Sequence, residues 1–222
     1  MAPATPSFGR YRILVVDDHP IVRLGIAQTL ARQSDLEICG EAASIQDALR
    51  LLEQTPADLV VVDLTLDGGS GMKLIEEIKT RWPAVKTLVS SAHDERVYAG
   101  RVLRAGASGY ISKREAGEKI VDAVRHVLSG QIYLSPAMTS RLLQRASIGE
   151  PLNADPVETL SNRELQVFEK IGRGQTSSQI AHELGVSPKT VDWYRKMIKE
   201  KLRLPNASQL SRTAILWVQE NG

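Results

Sequence analysis

Apolar residues in the first half of the chain change their spacing in a regular way. Short runs at Ile13–Val16, Leu36–Ala42, Leu59–Val62, Val85–Val89 and Gly109–Ile111 have the length and branched character of buried strands. Each is followed by a longer segment with helical spacing: Ile21–Ala31, Ile45–Leu52, Met72–Arg81, Arg96–Ala105 and Ala116–Leu128. Strands separated by helices predict parallel pairing through right-handed crossovers, hence an α/β fold with a doubly wound, five-stranded parallel sheet. Pro20 suits the first turn of a helix, and Ser44 suits an N-cap. Pro56 and Pro83 separate helices from the strands that follow, while Asp67-Gly68-Gly69-Ser70-Gly71 reads as a flexible loop.

The alternation ends at Gly130. Ile132–Pro136 predicts a short extended piece, Met138–Arg145 a helix, and Ser147–Glu158 an irregular linker. From Leu160 onward every periodic segment is helical. Ser161 and Glu164 have the spacing of a capping box, with Val167, Phe168 and Ile171 as the apolar face of the helix they start. Ser177–Leu184, a sharp Gly185-Val186-Ser187 turn and Pro188 to about Leu202 then form a helix-turn-helix candidate, followed by a last helix from Ser208 to about Gln219. The expected organisation is a tail over 1–10, an α/β domain over 11–130, a linker with one short helix over 131–158, and a small all-α domain over 159–222.

Composition narrows the setting. The single cysteine, Cys39, excludes an internal disulfide framework and a thiolate-rich metal site, and suits a reducing compartment. Met1–Arg10 lacks an apolar signal core, and no run approaches membrane-spanning length, so a cytoplasmic protein without a membrane partner is expected.

The third strand stops on Asp63, and the first is followed by Asp17 and Asp18. In a doubly wound sheet whose first and third strands are neighbours, the three carboxylates meet at one carboxyl edge, where such sheets place their sites. Converging negative charges repel unless a cation is shared, and oxygen-only ligands with room for water point to Mg2+. On the doublet alone, capping of the helix that starts near Pro20 explains Asp17 and Asp18 equally well. Ser91 and Lys113 add the missing weight: both fall at strand ends on the same edge, where a hydroxyl and an ammonium could hold the oxygens of a phosphoryl group on Asp63.

These residues resemble those of the response-regulator receiver domains, which are flavodoxin-like, over roughly Arg12–Gly130. The matching stretches are Val-Val-Asp17-Asp18-His-Pro, Val-Val-Asp63-Leu, Ser91-Ala92 and Gly106-Ala-Ser-Gly-Tyr110-Ile-Ser-Lys113. The resemblance implies that Asp63 accepts phosphate from a sensor histidine kinase. It implies that Asp17, Asp18, Asp63 and the backbone carbonyl of Thr65 bind Mg2+, that Lys113 and Ser91 contact the phosphate, and that Ser91 and Tyr110 couple phosphorylation to movement. Thr65 and His93 stand where receivers tune hydrolysis of the acyl phosphate. One departure is Asp67, where receivers usually carry proline.

Residues 1–154 hold equal numbers of basic and acidic side chains, so the net charge of +2 arises entirely beyond them. The densest positive segment runs from Lys189 to Arg203, where Lys189, Lys196 and Arg203 recur at sevens on one helical face, opposite Val191, Tyr194, Ile198 and Leu202. A solvated charged face would look the same, but this helix is the second of the helix-turn-helix, the one that enters the major groove. Asp192, Trp193 and Lys196 are the candidates for reading bases; Lys189, Thr190, Arg195 and Lys199 suit phosphates.

Here the chain resembles LuxR-type DNA-binding domains, across Leu160 to about Trp217, through Leu160-Ser-Asn-Arg163-Glu164, Gly174, Gln179-Ile180-Ala181, Leu184-Gly-Val-Ser187-Pro-Lys-Thr190-Val191 and Lys201-Leu202. Asn206-Ala207-Ser208 departs from the pattern, in which arginine commonly follows the asparagine. The family's last helix contributes to pairing, so a homodimer on double-stranded DNA is implied; Leu210, Ala214, Trp217 and Val218 could equally be core.

Together these readings predict a transcriptional response regulator of the NarL/FixJ type, with no catalytic residues acting on an external substrate. A receiver-like regulator controlled by a partner or ligand without phosphorylation is the alternative. A phosphatase using Asp63 as nucleophile fits poorly, because Thr65 stands where its general-acid aspartate belongs.

Overall fold

The computed structural model describes residues 9–66, 69–147 and 156–221. It divides into two compact units between Arg141 and Leu142. The expectations for the N-terminal tail, for Asp67 and Gly68, and for residues 148–155 fall outside the described residues.

The first unit alternates strand and helix: β1 Tyr11–Val16, α1 Pro20–Ala31, β2 Leu36–Ala42, α2 Ile45–Gln54, β3 Leu59–Val62, β4 Thr65–Leu66, β5 Gly69–Ser70, α3 Gly71–Arg81, β6 Lys86–Ser91, α4 Glu95–Ala105, β7 Gly109–Ser112 and α5 Lys113–Leu128. The main sheet is parallel, in the order β2-β1-β3-β6-β7. Its central strand β3 pairs with β1 from Ile13↔Leu59 to Val16↔Val62, and all four residues of β3 are buried. Burial on both faces explains why its sequence is an unbroken aliphatic run rather than an alternating one. Ile13, Val15, Leu59, Val61 and Leu88 pack with Ile26, Leu30, Ile120, Val124 and Val127 from α1 and α5.

Several element limits differ from the sequence expectation. The fourth strand of the main sheet is Lys86–Ser91 rather than Val85–Val89, which brings Ser91 into the sheet. Helices α3, α4 and α5 begin earlier than expected because Ser70, Asp94 and Ser112 cap them through their side chains. Within the stretch expected to be a flexible loop, Gly69 and Ser70 instead pair antiparallel with Leu66 and Thr65, and Gly71 already belongs to α3.

The extended piece after α5 also has a place. Tyr133 bridges Gly109 at the edge of β7: Tyr110 N–H donates to the Tyr133 carbonyl at 2.8 Å, and Tyr133 N–H to the Ser108 carbonyl at 3.1 Å. α6, Pro136–Ser147, follows, and the division between the two compact units falls within it.

In the second unit a 3-10 turn, Pro156–Thr159, precedes α7 Asn162–Gly172, α8 Ser177–Leu184, α9 Pro188–Lys201 and α10 Ala207–Asn221. The Ser161–Glu164 capping box is complete, and a second one, Thr176–Gln179, starts α8. Gly185 ends α8 at φ 63°, the left-handed conformation that turns the chain into α9. α7 packs on α9 and α10, and α8 on α9. Leu210 and Ala214 are fully buried, and Trp217 meets Phe168 edge-on at 5.7 Å, so this face of α10 is core. Ile215 and Leu216 remain exposed.

Candidate functional site

The parallel register brings the ends of β1 and β3 side by side, and Asp63 N–H continues the ladder by donating to the Val16 carbonyl at 2.9 Å. Asp17 and Asp63 are consequently buried at the same carboxyl edge, while the Asp18 side chain beside them is 11% exposed. Asp17 Oδ1 accepts the main-chain N–H of His19 at 2.9 Å, which closes the turn into α1. Helix α5 supplies the cation. Lys113, its first residue, donates from Nζ to Asp63 Oδ2 at 2.6 Å and lies 2.7 Å from Asp17 Oδ2. The Asp17 contact is one of charge rather than direction, since its buried Oδ2 accepts no aligned hydrogen bond.

Burial pushes the Asp63 carboxyl above the ordinary aspartate range; Lys113 opposes this and the charge of Asp17 reinforces it. For Lys113, burial works against the charge, but the carboxylates of Asp17 and Asp63 more than offset it and hold the ammonium above its usual range. One ligand atom from each of Asp17, Asp18, Asp63 and the neighbouring His19 falls within 4.8 Å of the others. With three carboxylates and an unaligned buried oxygen, the donor set fits a hard, oxygen-preferring divalent cation.

Thr65 begins the ribbon, and its N–H donates to Asp63 Oδ1 at 3.3 Å. Its hydroxyl meets His93 Nε2 at 3.1 Å, so the two residues singled out beside Asp63 are in contact. Ser91 is buried, its hydroxyl accepting the His93 N–H at 3.2 Å. Tyr110 is fully buried as well; its hydroxyl donates to the His93 carbonyl at 2.6 Å, and burial pushes it well above the usual phenol range. Ser91 and Tyr110 therefore converge on one loop residue, His93, from β6 and β7.

Three contributors were not apparent from strand ends. His19 pairs with Asp18 at 2.7 Å. Arg23 donates to the Asp17 carbonyl at 2.5 Å. Gly71 sits against the main chain of Asp63, where a Cβ would lie 2.0 Å from its carbonyl oxygen. The adjacent Asp-His dipeptide could have suggested the first; the others depend on close approach in the folded chain.

The second unit holds the basic helix. Val191 and Ile198 anchor α9 in the core, with Tyr194 and Leu202 half-buried, so the apolar stripe faces inward as its spacing predicts. Lys189, Asp192, Trp193 and Lys196 are exposed, and Thr190, Arg195 and Lys199 are half-buried. Trp193 projects with more than half of its surface accessible and meets Tyr194 edge-on at 5.1 Å. Two candidates are partly engaged within the unit: Asp192 Oδ1 accepts the Ser177 hydroxyl at 2.9 Å, and Thr190 takes part in the α9 cap with Ser187 at 2.8 Å. Lys201 points the other way, donating to Glu164 at 2.6 Å and tying α9 to α7. Lys196, Lys199 and Arg203 line a common groove with Glu200, Leu204 and Pro205.

Residues 13–125 match the response regulator receiver domain, and residues 158–214 match the luxR family of bacterial regulatory proteins. The chain is 33% identical to response regulator UvrY of Escherichia coli K12 over 203 residues, 91% of this chain and 93% of UvrY. It is 34% identical to response regulator GacA of Pseudomonas aeruginosa over 205 residues, 92% of this chain and 95% of GacA. Among solved structures, RcsB from Salmonella enterica serovar Typhimurium bound to promoter rprA in the presence of phosphomimetic BeF3- is 25% identical, with a TM-score of 0.60, covering 91% of this chain and 97% of that one. No helix among the described residues is long and apolar enough to cross a membrane. An acidic pocket at the edge of a receiver sheet, a basic helix in a luxR-type domain and this similarity along nine tenths of the chain place the protein in the NarL/FixJ-type two-component response regulators, which join a receiver to a DNA-binding domain.

Proposed function

We propose that Asp63 is the phosphoacceptor and that its phosphorylation by a sensor histidine kinase controls binding of double-stranded DNA by α9. The observation that carries this reading is the contact of Lys113 Nζ with both Asp63 and Asp17 inside a cluster of carboxylates. In the transfer, an Asp63 carboxylate oxygen forms the new bond to phosphorus. The phosphorus–nitrogen bond of the kinase phosphohistidine breaks, its electron pair returning to the imidazole. Lys113 then exchanges its carboxylate partner for a phosphoryl oxygen, and the Ser91 hydroxyl supplies a second contact. Asp17, Asp18, Asp63 and the Thr65 carbonyl are the residues that would hold Mg2+, whose chemistry is to neutralise charge gathering on the phosphoryl oxygens. Ser91 and Tyr110 report the change through His93, which both already touch.

In the DNA complex, Lys189, Thr190, Arg195 and Lys199 contact phosphates, while Asp192, Trp193 and Lys196 face base edges. A homodimer is the expected bound form, with the exposed Ile215 and Leu216 of α10 available for pairing. Residues 11–130 serve as receiver, 131–158 as linker and 159–222 as DNA-binding domain, in a cytoplasmic protein. Turnover of external phosphate esters is not expected, because Thr65 supplies no acid beside Asp63.

The test is promoter binding by wild type and Asp63→Ala, with and without a small phosphodonor and Mg2+. A donor response in the wild type and none in the variant is expected. An equal response in both removes Asp63 from the mechanism.

A further inference from the structure

Arg23 borders the acidic pocket, and the proposed phosphoryl chemistry does not use it. Its Nη1 donates to the main-chain carbonyl of Asp17 at 2.5 Å, and its Nε lies 3.5 Å from Glu41 Oε2. The side chain is only 19% exposed, whereas Glu41 is 40% exposed. Three elements are thereby joined: Arg23 from α1, Asp17 after β1, and Glu41 from β2. The same segment is held at other points, since Arg23 N–H donates to the His19 carbonyl at 3.0 Å and Asp17 N–H to the Ala42 carbonyl at 3.1 Å.

The carbonyl of Asp17 lies past the last paired residue of β1, Val16, so no ladder partner is provided for it. A guanidinium can satisfy it and still reach a carboxylate, because its donors point in fixed, diverging directions. The consequence is a tethered turn that carries the Asp17 and Asp18 carboxylates together. A positive charge here would ordinarily repel a bound cation. Arg23 avoids much of this because it faces a main-chain carbonyl and is balanced by Glu41.

We propose that Arg23 is a positioning residue for divalent-cation binding at Asp17 and Asp18, and that Glu41 holds Arg23 in that role. This inference rests on the reading of Asp17, Asp18 and Asp63 as cation ligands. Residues that orient ligands in this way change metal affinity by about 10- to 100-fold when removed. Without Glu41, the guanidinium is free to turn toward the acidic side chains and compete for them.

The experiment is a Mn2+ titration of the intact chain, with free Mn2+ followed by electron paramagnetic resonance and thermal melting recorded without metal. Arg23→Ala is expected to weaken Mn2+ binding about 10-fold or more, and Arg23→Lys to retain most of the affinity by restoring one donor. Glu41→Gln is expected to weaken binding by a few-fold, yet to add nothing once Arg23 is alanine, because the two act as one unit. Unchanged affinity in Arg23→Ala overturns the proposal, whether or not its melting temperature falls. If that variant does not fold, Glu41→Gln with wild-type affinity overturns it instead. Asp17→Asn separates the two levels: loss of binding there with full binding in Arg23→Ala removes only this inference, whereas full binding in Asp17→Asn removes the cation site itself.

Discussion

Gly71 lies so close to Asp63 that a Cβ built on it would come within 2.0 Å of the Asp63 carbonyl oxygen and 2.9 Å of Leu64 Cα. Gly71 N–H also donates to the Leu64 carbonyl at 2.9 Å, so the first residue of α3 is fastened to the strand end that carries Asp63, the proposed acceptor. Any side chain must move main chain rather than a flexible tip. Gly71→Ala is therefore expected to displace the β3 end and slow phosphoryl uptake from a small phosphodonor by roughly 10-fold or more, since displacements near 1 Å can cost about 100-fold in a positioned reaction. Phosphorylation rate and melting temperature together check this. A lower melting temperature with an unchanged rate would show that the carboxylate is positioned independently of α3.

A second glycine controls the far edge of the sheet. At Gly109 a Cβ would meet the Tyr133 carbonyl at 2.8 Å and Tyr133 Cβ at 2.9 Å, which explains how the segment after α5 can lie along β7. Tyr133 is also met edge-on by His126 at 5.8 Å, and Ser135 N–H donates to Glu95 at the start of α4 at 2.8 Å. Gly109→Val is expected to release this segment. Hydrogen exchange at the Tyr110 and Tyr133 amides would then accelerate by at least 10-fold, while exchange in β1 and β3 stays slow. Equal protection in the variant would mean that the pairing survives a side chain at residue 109.

The sheet and its acidic edge are legible in the sequence because both follow from short-range rules. Val60, Val61 and Val62 announce a strand buried on both faces, and the position of Asp63 at its end follows directly. Asp17 and Lys113 reach the same edge for the same reason. Arg23, Gly71 and Tyr133 are not legible in this way, because each matters through an approach to main chain distant in the fold or hidden in a turn. Serines 70 and 112 and Asp94 moved helix starts because a capping side chain is recognised only once the turn is known. In the second unit, spacing reveals the inward stripe of Val191 and Ile198, but not that Asp192 already accepts the Ser177 hydroxyl.

Glu164 gives the DNA-binding unit an acid sensitivity of definite sign. Burial alone would raise its carboxyl, but the hydrogen bonds from Lys201 and from Ser161 outweigh that and hold it below the usual glutamate range. The folded unit thus keeps Glu164 charged at a pH where the unfolded chain is protonated. Its stabilisation is complete above the ordinary glutamate value and is lost as pH falls through the depressed one. The unit is expected to lose stability as pH falls through that depressed range. Glu164→Gln is expected to remove this part of the pH dependence. Unfolding free energies from α7 amide exchange at pH 6 and pH 3.5 provide the measurement, and the same pH loss in the variant would assign the sensitivity to other groups.

The roles proposed for Lys189 and Trp193 on α9 can be told apart by experiment, as affinity on one side and sequence preference on the other. Lys189 is an exposed cation beside the helix start, whereas Trp193 is an exposed aromatic one turn further along, with only Tyr194 packed edge-on against it among the ring contacts of the described residues. A phosphate contact contributes equally to every duplex and releases counterions. Lys189→Ala is thus expected to weaken binding to specific and unrelated DNA alike, and to reduce the slope of log affinity against log salt by about 0.9. A side chain facing base edges does the opposite. Trp193→Ala is expected to narrow the gap between specific and unrelated duplexes by about 1–3 kcal/mol with little change in salt slope. Fluorescence anisotropy titrations at several salt concentrations, using both duplexes and phosphorylated protein, measure both quantities. If Trp193→Ala changes the slope and leaves the specificity ratio intact, Trp193 lies against the backbone rather than the bases.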